Sequence, residues 1–399
     1  MRSWPSGTAE IVPLISPPLS LYVHMPWCVK KCPYCDFNSH GLRSEPPPYA
    51  AYVDDLLADL DADIRDFGGA LEQRPIVSVF FGGGTPSLFS PELVKRFLDG
   101  ARARLAFAAD AEITLETNPG TVEHGRFDGY LAAGVNRLSF GIQSFDDDKL
   151  KRLGRIHSAG EAEWAVKSAQ DAGYRNINLD LMYALPQQQL DGALGDISRA
   201  VALQPTHISH YQLTLEPNTA FAANPPPLPD DDHAWAMQEA CEQQLADAGY
   251  AQYEISAYAQ PGHRCAHNLN YWRFGDYLGI GAGAHGKISD ALGGLVRRRW
   301  KTRLPRAYMD AGAGPARIGG DTIVSPAELP FEYMLNALRL VDGVPAADFP
   351  ARTGLDAAQI APALAVARKH GWIRDEAGVL HTTELGQRFL NDVITCFLE

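Results

Sequence analysis

The sequence predicts an α/β protein: a partial (β/α)6 barrel of the TIM type followed by a smaller α+β C-terminal domain. Three observations predict it. From residue 20 to about 250, short β-branched or aromatic runs alternate with longer segments of helical period. Polar or glycine residues recur just after those runs, where α/β proteins place their sites. After "PPPLP" (225–229) the texture changes, and clean alternation stops near residue 250.

In order, the expected strands are "SLYVH" (20–24), "IVSVFF" (76–81), "EITLET" (112–117), "VNRLSF" (135–140), "NINLDL" (176–181) and "HISHYQL" (207–213). The expected helices are 52–67, 91–105, 123–134, 159–173, 190–203 and 230–250. Pro91 and Pro205 stand where proline is tolerated, at a helix start and just past a helix end. Six such units in series imply parallel strands joined by right-handed crossovers. A doubly wound open sheet is the competing arrangement. The domains expected are an N-terminal extension (1–19), the partial barrel (20–250) and a C-terminal domain (251–399). In the last, "FEYMLNALRLVDG" (331–343) reads as a helix, and 355–394 as helix, short hairpin about "DEAG", helix, a winged-helix-like unit. Residues 346–399 hold five Lys or Arg against seven Asp or Glu, so structural or interaction use is expected there rather than DNA binding.

With 399 residues, 46% of them hydrophobic, the chain can bury a large core without staples. Its net charge of −13 argues against a nucleic-acid partner held by general electrostatics. The first twenty residues lack the pattern of a signal peptide, and no 18-residue apolar run is present, so a cytoplasmic protein is expected.

Cys28, Cys32 and Cys35 lie in "HMPWCVKKCPYCDFNSH" (24–40), directly after the first strand. Three cysteines so close in a cytoplasmic chain point to metal rather than to disulfides. Structural zinc needs a fourth donor, which His24 or His40 could supply. A [4Fe–4S] cluster can instead take three thiolates and leave one iron open.

The C-x3-C-x2-C spacing after the first strand of a β/α array resembles the radical S-adenosylmethionine (SAM) superfamily. The resemblance implies a [4Fe–4S] cluster on Cys28, Cys32 and Cys35 whose open iron chelates SAM. "GGGTPS" (82–87) is similar to that superfamily's glycine motif, which carries Gly84 and Thr85 to the SAM site; it lacks the GK[ST] ending of a P-loop. Glu116, Gln143, Arg155 and Asp180 follow on or after strands three to five. Their carboxylates, amide and guanidinium suit the ammonium, ribose and carboxylate of SAM. Tyr22 and Tyr34 are expected to pack against cluster or adenine.

Together with "SFGIQSFDDDKLKRLGRIHS", "NLDLMYALP" and "HISHYQLTLEP", these motifs resemble the oxygen-independent coproporphyrinogen III oxidase group over residues 20–390. The oxidases of that group carry a further cysteine two positions after the third, where this chain has Phe37. Its haem-chaperone branch has phenylalanine there and an H-N-x-x-Y-W motif, matched here by His267, Asn268, Tyr271 and Trp272. The resemblance therefore implies haem as ligand, haem-receiving apoproteins as partners, and His267 as the haem ligand. The chemistry of the neighbouring residues adds Cys265 and His285 as reserve ligands and Arg264 or Arg273 for a propionate. A homodimer and transient membrane association are compatible with it. G-x-G-x-x-G at Gly281, Gly283 and Gly286 is no dinucleotide motif, since no βαβ unit follows. The competing functions are the oxidase itself and a zinc-stabilised interaction protein.

Overall fold

The structure, a computed structural model, describes residues 13–42, 45–121, 126–374, 376 and 378–398. Most of the expected N-terminal extension, the start of the expected third helix and two positions of the "DEAG" turn lie outside the described residues.

Six parallel strands stand side by side in chain order: β1 (Leu19–Met25), β2 (Ile76–Gly83), β3 (Phe107–Thr117), β4 (Arg137–Gln143), β5 (Ile177–Tyr183) and β6 (His207–Gln212). The helices between them are α1 (Tyr49–Phe67), α2 (Pro91–Arg102), α3 (Arg126–Ala133), α4 (Asp147–Arg152), α5 (Ala159–Asp171) and α6 (Leu190–Ala202), with α7 (Asp231–Asp247) after β6. Side chains alternate along each strand. Leu21 and Val23 of β1 and Val79 and Phe81 of β2 join α1 and α2 in one apolar core, with Tyr52, Leu56 and Phe97. The opposite set, Ser20, Tyr22 and His24 of β1 with Ser78 and Phe80 of β2, faces the barrel interior, where the Ser20 and Ser78 hydroxyls meet at 2.7 Å.

The strands after residue 250 extend this sheet at both edges. The hairpin β7 (Ala251–Glu254) and β8 (Ala257–Ala259) covers β6, so "QYEISAYA" closes an edge. At the other edge β9 (Asp276–Ile280) runs parallel to β1, followed by antiparallel β10 (His285–Asp290), β11 (Leu295–Lys301) and β12 (Ile318–Ile323). The result is a twelve-stranded sheet in the order β12-β11-β10-β9-β1-β2-β3-β4-β5-β6-β8-β7. Of the glycine-rich segment at 281–286, residues 281–284 are the turn between β9 and β10, and Gly286 lies in β10. Gly281 is required there: at φ +101° its missing Cβ would stand 2.5 Å from the His24 carbonyl oxygen.

Between β8 and β9 the chain crosses the barrel interior as helix α8 (Ala266–Trp272). The Glu112 carboxylate of β3 accepts from the backbone N–H of Ala266 and of His267, each at 3.1 Å, which satisfies donors at the helix start. Asn270 Nδ2 donates to Ser20 Oγ at 2.9 Å and to the Asp276 carbonyl at 2.8 Å. With the 2.8 Å contact between His267 Nδ1 and Ser78 Oγ of β2, the H-N-x-x-Y-W segment is bonded to β1, β2 and β3.

Helix α1 is tied to the added strands by buried charge. Lys301 donates to Asp59 at 2.6 Å and Asp63 at 2.8 Å, Arg299 donates to Asp63, Asp66 and Asp321, and Tyr308 donates to Asp59 at 2.7 Å.

Residues 324–398 pack around a separate core that includes Tyr333, Met334, Phe349, Leu364, Leu380 and Val393. The helix expected over 331–343 runs Leu329–Ala337; beyond it Leu340 leaves helical pairing to bridge Glu254 of β7. Helix Ala361–Lys369, the bridge between Ile373 and Thr382, the pair Val344–Pro345 with Val379–Leu380, and helix Glu384–Arg388 form the winged-helix-like unit.

Candidate functional site

The carboxyl ends of the strands and the cysteine loop enclose a cavity of about 140 Å³. Its root is built by Trp27–Cys28, which pairs in parallel with His40–Gly41, while the Trp27 indole packs edge-on against Tyr52 at 4.8 Å and Tyr49 at 5.7 Å. That anchorage holds both ends of the loop, and Cys28, Cys32 and Cys35 all line the cavity as free, partly exposed thiols. The Cys35 N–H donates to the Cys32 carbonyl at 3.2 Å, and the Arg155 guanidinium reaches Cys32 Sγ at 3.7 Å. Burial pushes the Cys28 thiol up, opposed by the Thr85 hydroxyl and reinforced by Cys35 and Cys32. Three thiolates crowd here only when a cation offsets their repulsion. Among the described residues no three His, Cys, Asp or Glu side chains are gathered around a single-ion position.

Of the residues expected at a SAM site, Tyr34, Gly84, Thr85, Glu116, Gln143, Arg155 and Asp180 line this same cavity. Gly84 sits where backbone meets backbone: its N–H donates to the Met25 carbonyl at 2.7 Å, and an added Cβ would stand 2.6 Å from the Trp27 carbonyl oxygen. The Thr85 N–H is likewise spent on Trp27. Glu116 accepts from the Gly83 N–H at 3.1 Å. Burial, then the neighbouring Asp180 carboxylate, lifts its pKa to about 8, and no cationic side chain counters the rise. Asp180 accepts from Asn178 at 2.7 Å and Ser139 at 3.2 Å, with burial pushing its pKa up as well. Gln143 holds a left-handed φ of +73°, a strained backbone for a residue with a side chain, and its Oε1 accepts from Tyr211 at 2.9 Å. Arg155 also donates to the Gly141 carbonyl. Its Nε and the Thr117 hydroxyl are buried without a partner in the structure.

Two expected residues lie elsewhere. Tyr22 points away from this cavity: its hydroxyl is 2.9 Å from His24 Nδ1, its ring stacks on Phe80, and it lines a second cavity. His267 is buried, with Nδ1 2.8 Å from Ser78 Oγ and Nε2 2.7 Å from the Tyr271 hydroxyl. Burial, then Arg137, lowers its pKa to about 3. Both ring nitrogens are engaged by protein, so no lone pair is open to iron in this arrangement. Cys265 is fully buried against Glu112, while Arg264 pairs with Asp342 at 2.6 Å.

The sequence motifs missed several residues that line the cavity, among them Lys30, Thr117, Asn118, Ser139 and Tyr211. Period-two alternation finds two of them, because Arg137, Ser139, Gly141 and Gln143 share one face of β4, and His207, Ser209 and Tyr211 one face of β6.

Comparison with known proteins decides the family. The model of the radical SAM superfamily matches residues 22–194, and that of the HemN C-terminal domain matches residues 324–389. The chain is 52% identical to the heme chaperone HemW of Escherichia coli over 96% of this chain and 98% of that protein. It is 49% identical to HemW of Haemophilus influenzae over the same shares. The chain belongs to the HemW family of the radical SAM superfamily. Its fold is also that of E. coli coproporphyrinogen III oxidase (HemN), described as a radical SAM enzyme, with a TM-score of 0.79 at 22% identity over 96% of this chain and 90% of the other.

Membership of the radical SAM superfamily implies a [4Fe–4S] cluster and SAM. The donors of this HemW-family chain fit both groups. Three thiols share one loop, a buried carboxylate lacks a cation, and the Arg155 Nε and Thr117 hydroxyl lack partners. The described residues include no helix long and apolar enough to cross a membrane.

Proposed function

We propose that this protein is a haem chaperone: it binds haem, delivers it to apoproteins, and carries a [4Fe–4S] cluster and SAM in the cytoplasm. The identity of 52% along nearly the whole of a heme chaperone is the observation that carries the reading. Phe37 adds to it, since the oxidases that this chain resembles hold a cysteine at that position.

In this reading Cys28, Cys32 and Cys35 hold the cluster, and the cavity beside them takes SAM. Glu116 and Asp180 supply negative charge for the ammonium or for ribose hydroxyls, Arg155 a guanidinium for the carboxylate, and Gln143 an amide fixed by Tyr211. Tyr34 closes one wall, packed against Phe221 at 6.3 Å. Cluster and SAM together supply one-electron chemistry when bound.

The test is anaerobic reconstitution followed by two assays on one preparation. Titration with haem is expected to give a saturable Soret band, and an apo-haem protein added afterwards is expected to take the haem up. Conversion of coproporphyrinogen III in the presence of SAM and reductant would establish the oxidase instead. Zinc without labile sulfide in the purified protein would leave the interaction protein.

A further inference from the structure

A haem chaperone needs a cavity for its cargo, and a second one adjoins the first across Phe37, whose side chain lines both. Its volume of about 510 Å³ is well above the 140 Å³ of the cysteine cavity. That size falls within the roughly 300–1,000 Å³ of small-molecule sites. Tyr22, Tyr271 and Tyr277 form an aromatic wall, with the last two in edge contact at 4.4 Å. Burial raises the pKa of all three phenols, which suits them to pack as neutral rings rather than to ligate as phenolates. The Asp36–Asn38 stretch, directly after Cys35, forms one rim. Gly283, His285 and Arg303 form the other.

Two histidines line this cavity and they differ in kind. His24 has its Nδ1 2.9 Å from the Tyr22 hydroxyl and its Nε2 2.9 Å from the Asn38 carbonyl, so both nitrogens are spent. His285 opens β10 as an exposed side chain, its ring stacked on Trp300 at 6.0 Å and 17°, and neither nitrogen has a hydrogen-bond partner among the described residues. Partial desolvation of the ring against the sheet, then Arg298 and Arg303, lowers its pKa, which favours the neutral ligating form. Arg303 is exposed at the mouth; its backbone carbonyl accepts from Asn38 Nδ2 at 2.8 Å, and its guanidinium has no ion pair among the described residues.

We propose that this second cavity is the haem site, with His285 as iron ligand, the tyrosine wall against the porphyrin and Arg303 for a propionate, whereas helix α8 with His267 is a structural plug. The proposal rests on the haem-chaperone reading and moves the iron ligand away from the H-N-x-x-Y-W motif. It also sets the porphyrin next to the cysteine loop, because Phe37 belongs to both cavities.

The experiment compares wild type, His285→Ala, His267→Gln and Arg303→Gln, all reconstituted with cluster, by haem titration and by resonance Raman spectroscopy of the ferrous haem complex. An unchanged cluster absorbance checks the fold of each variant. His285→Ala is expected to lose the iron–histidine stretching band and to bind haem more weakly by at least the roughly 10–100-fold seen when only a metal site's outer shell is altered. His267→Gln is expected to keep the band. Arg303→Gln is expected to weaken binding about tenfold or less, the loss of one charge-assisted pair, with the Soret position unchanged. Retention of the band and of wild-type affinity in His285→Ala overturns the assignment, whatever the other variants do. Failure of wild type to bind haem at all is a different result, and it overturns the chaperone reading together with the site.

Discussion

Two groups of buried charge flank β1 and β2, and they are built in opposite ways. On the β11 side Asp59 and Asp63 are answered by Lys301 and Arg299, and the second oxygen of Asp59 by Tyr308 and the Gly281 N–H. On the β3 side Glu116 and Asp180 are neighbours, and the pKa of Glu116 climbs to about 8 because burial and then Asp180 outweigh the single hydrogen bond from the Gly83 N–H. A fold that pairs one cluster so fully has no general difficulty in supplying cations. Glu116 is left without a cationic partner, as the SAM site proposed above requires, whereas the first group fastens α1 to strands more than two hundred residues away. Paired charge marks architecture, and unpaired charge marks a site.

Breaking the paired group costs the most. Lys301→Met leaves Asp59 and Asp63 with less compensation, and the expected loss is about 3–5 kcal/mol of folding stability, read from urea denaturation of the cluster-free protein. Loss confined to about 1 kcal/mol would place that cluster among ordinary surface pairs.

The unpaired group responds with the other sign. In the ligand-free protein the folded-state pKa of Glu116, about 8, lies above its unfolded value near 4.5, so the folded state binds more protons between those values. Its contribution to stability is complete below pH 4.5 and falls as pH rises towards 8. Glu116→Gln is expected to flatten that slope, and to weaken SAM binding by the roughly 1.5–3 kcal/mol of a charged hydrogen bond. Calorimetry at pH 5 and pH 8 with SAM titration checks both; a variant with wild-type slope and affinity returns Glu116 to a structural role.

Ser158→Ala sharpens the contrast at small scale. Ser158 and Glu161 form the capping box of α5, three residues past Arg155. The expected cost is about 0.5–2 kcal/mol of stability, with SAM affinity unchanged. An equal loss of affinity would mean that the helix cap, and not the chemistry of the lining residues, sets the site.

The barrel strands were legible because each carries its own period-two pattern and is followed by a helix, so Leu21, Val79 and Leu115 announce their face locally. The strands after residue 250 were not. Their partners are distant in the chain: β9 pairs with β1 and β8 with β6, and "DYLGI" or "AYA" alone cannot say which sheet edge they will cover. The same limit acted at the site. Cys28, Cys32 and Cys35 lie within one loop and read directly, and seven of the eight residues expected to bind SAM face one cavity because strand order delivers them in sequence. Tyr22 was misleading because alternation gives the face of a strand but not which of two adjoining cavities that face lines. His267 was misleading for another reason: a histidine amid aromatics has the composition of a haem segment, and only the Ser78 and Tyr271 hydroxyls across the barrel reveal that it is fastened.

The most direct test of the central claim, that the cavity at the cysteine loop holds an open-iron cluster completed by SAM, is electron paramagnetic resonance of the reduced, anaerobically reconstituted protein with and without SAM. The account predicts a [4Fe–4S] signal that shifts on adding SAM and disappears in Cys28→Ala, Cys32→Ala or Cys35→Ala. A signal indifferent to SAM, or one that survives the loss of any of the three cysteines, would contradict it.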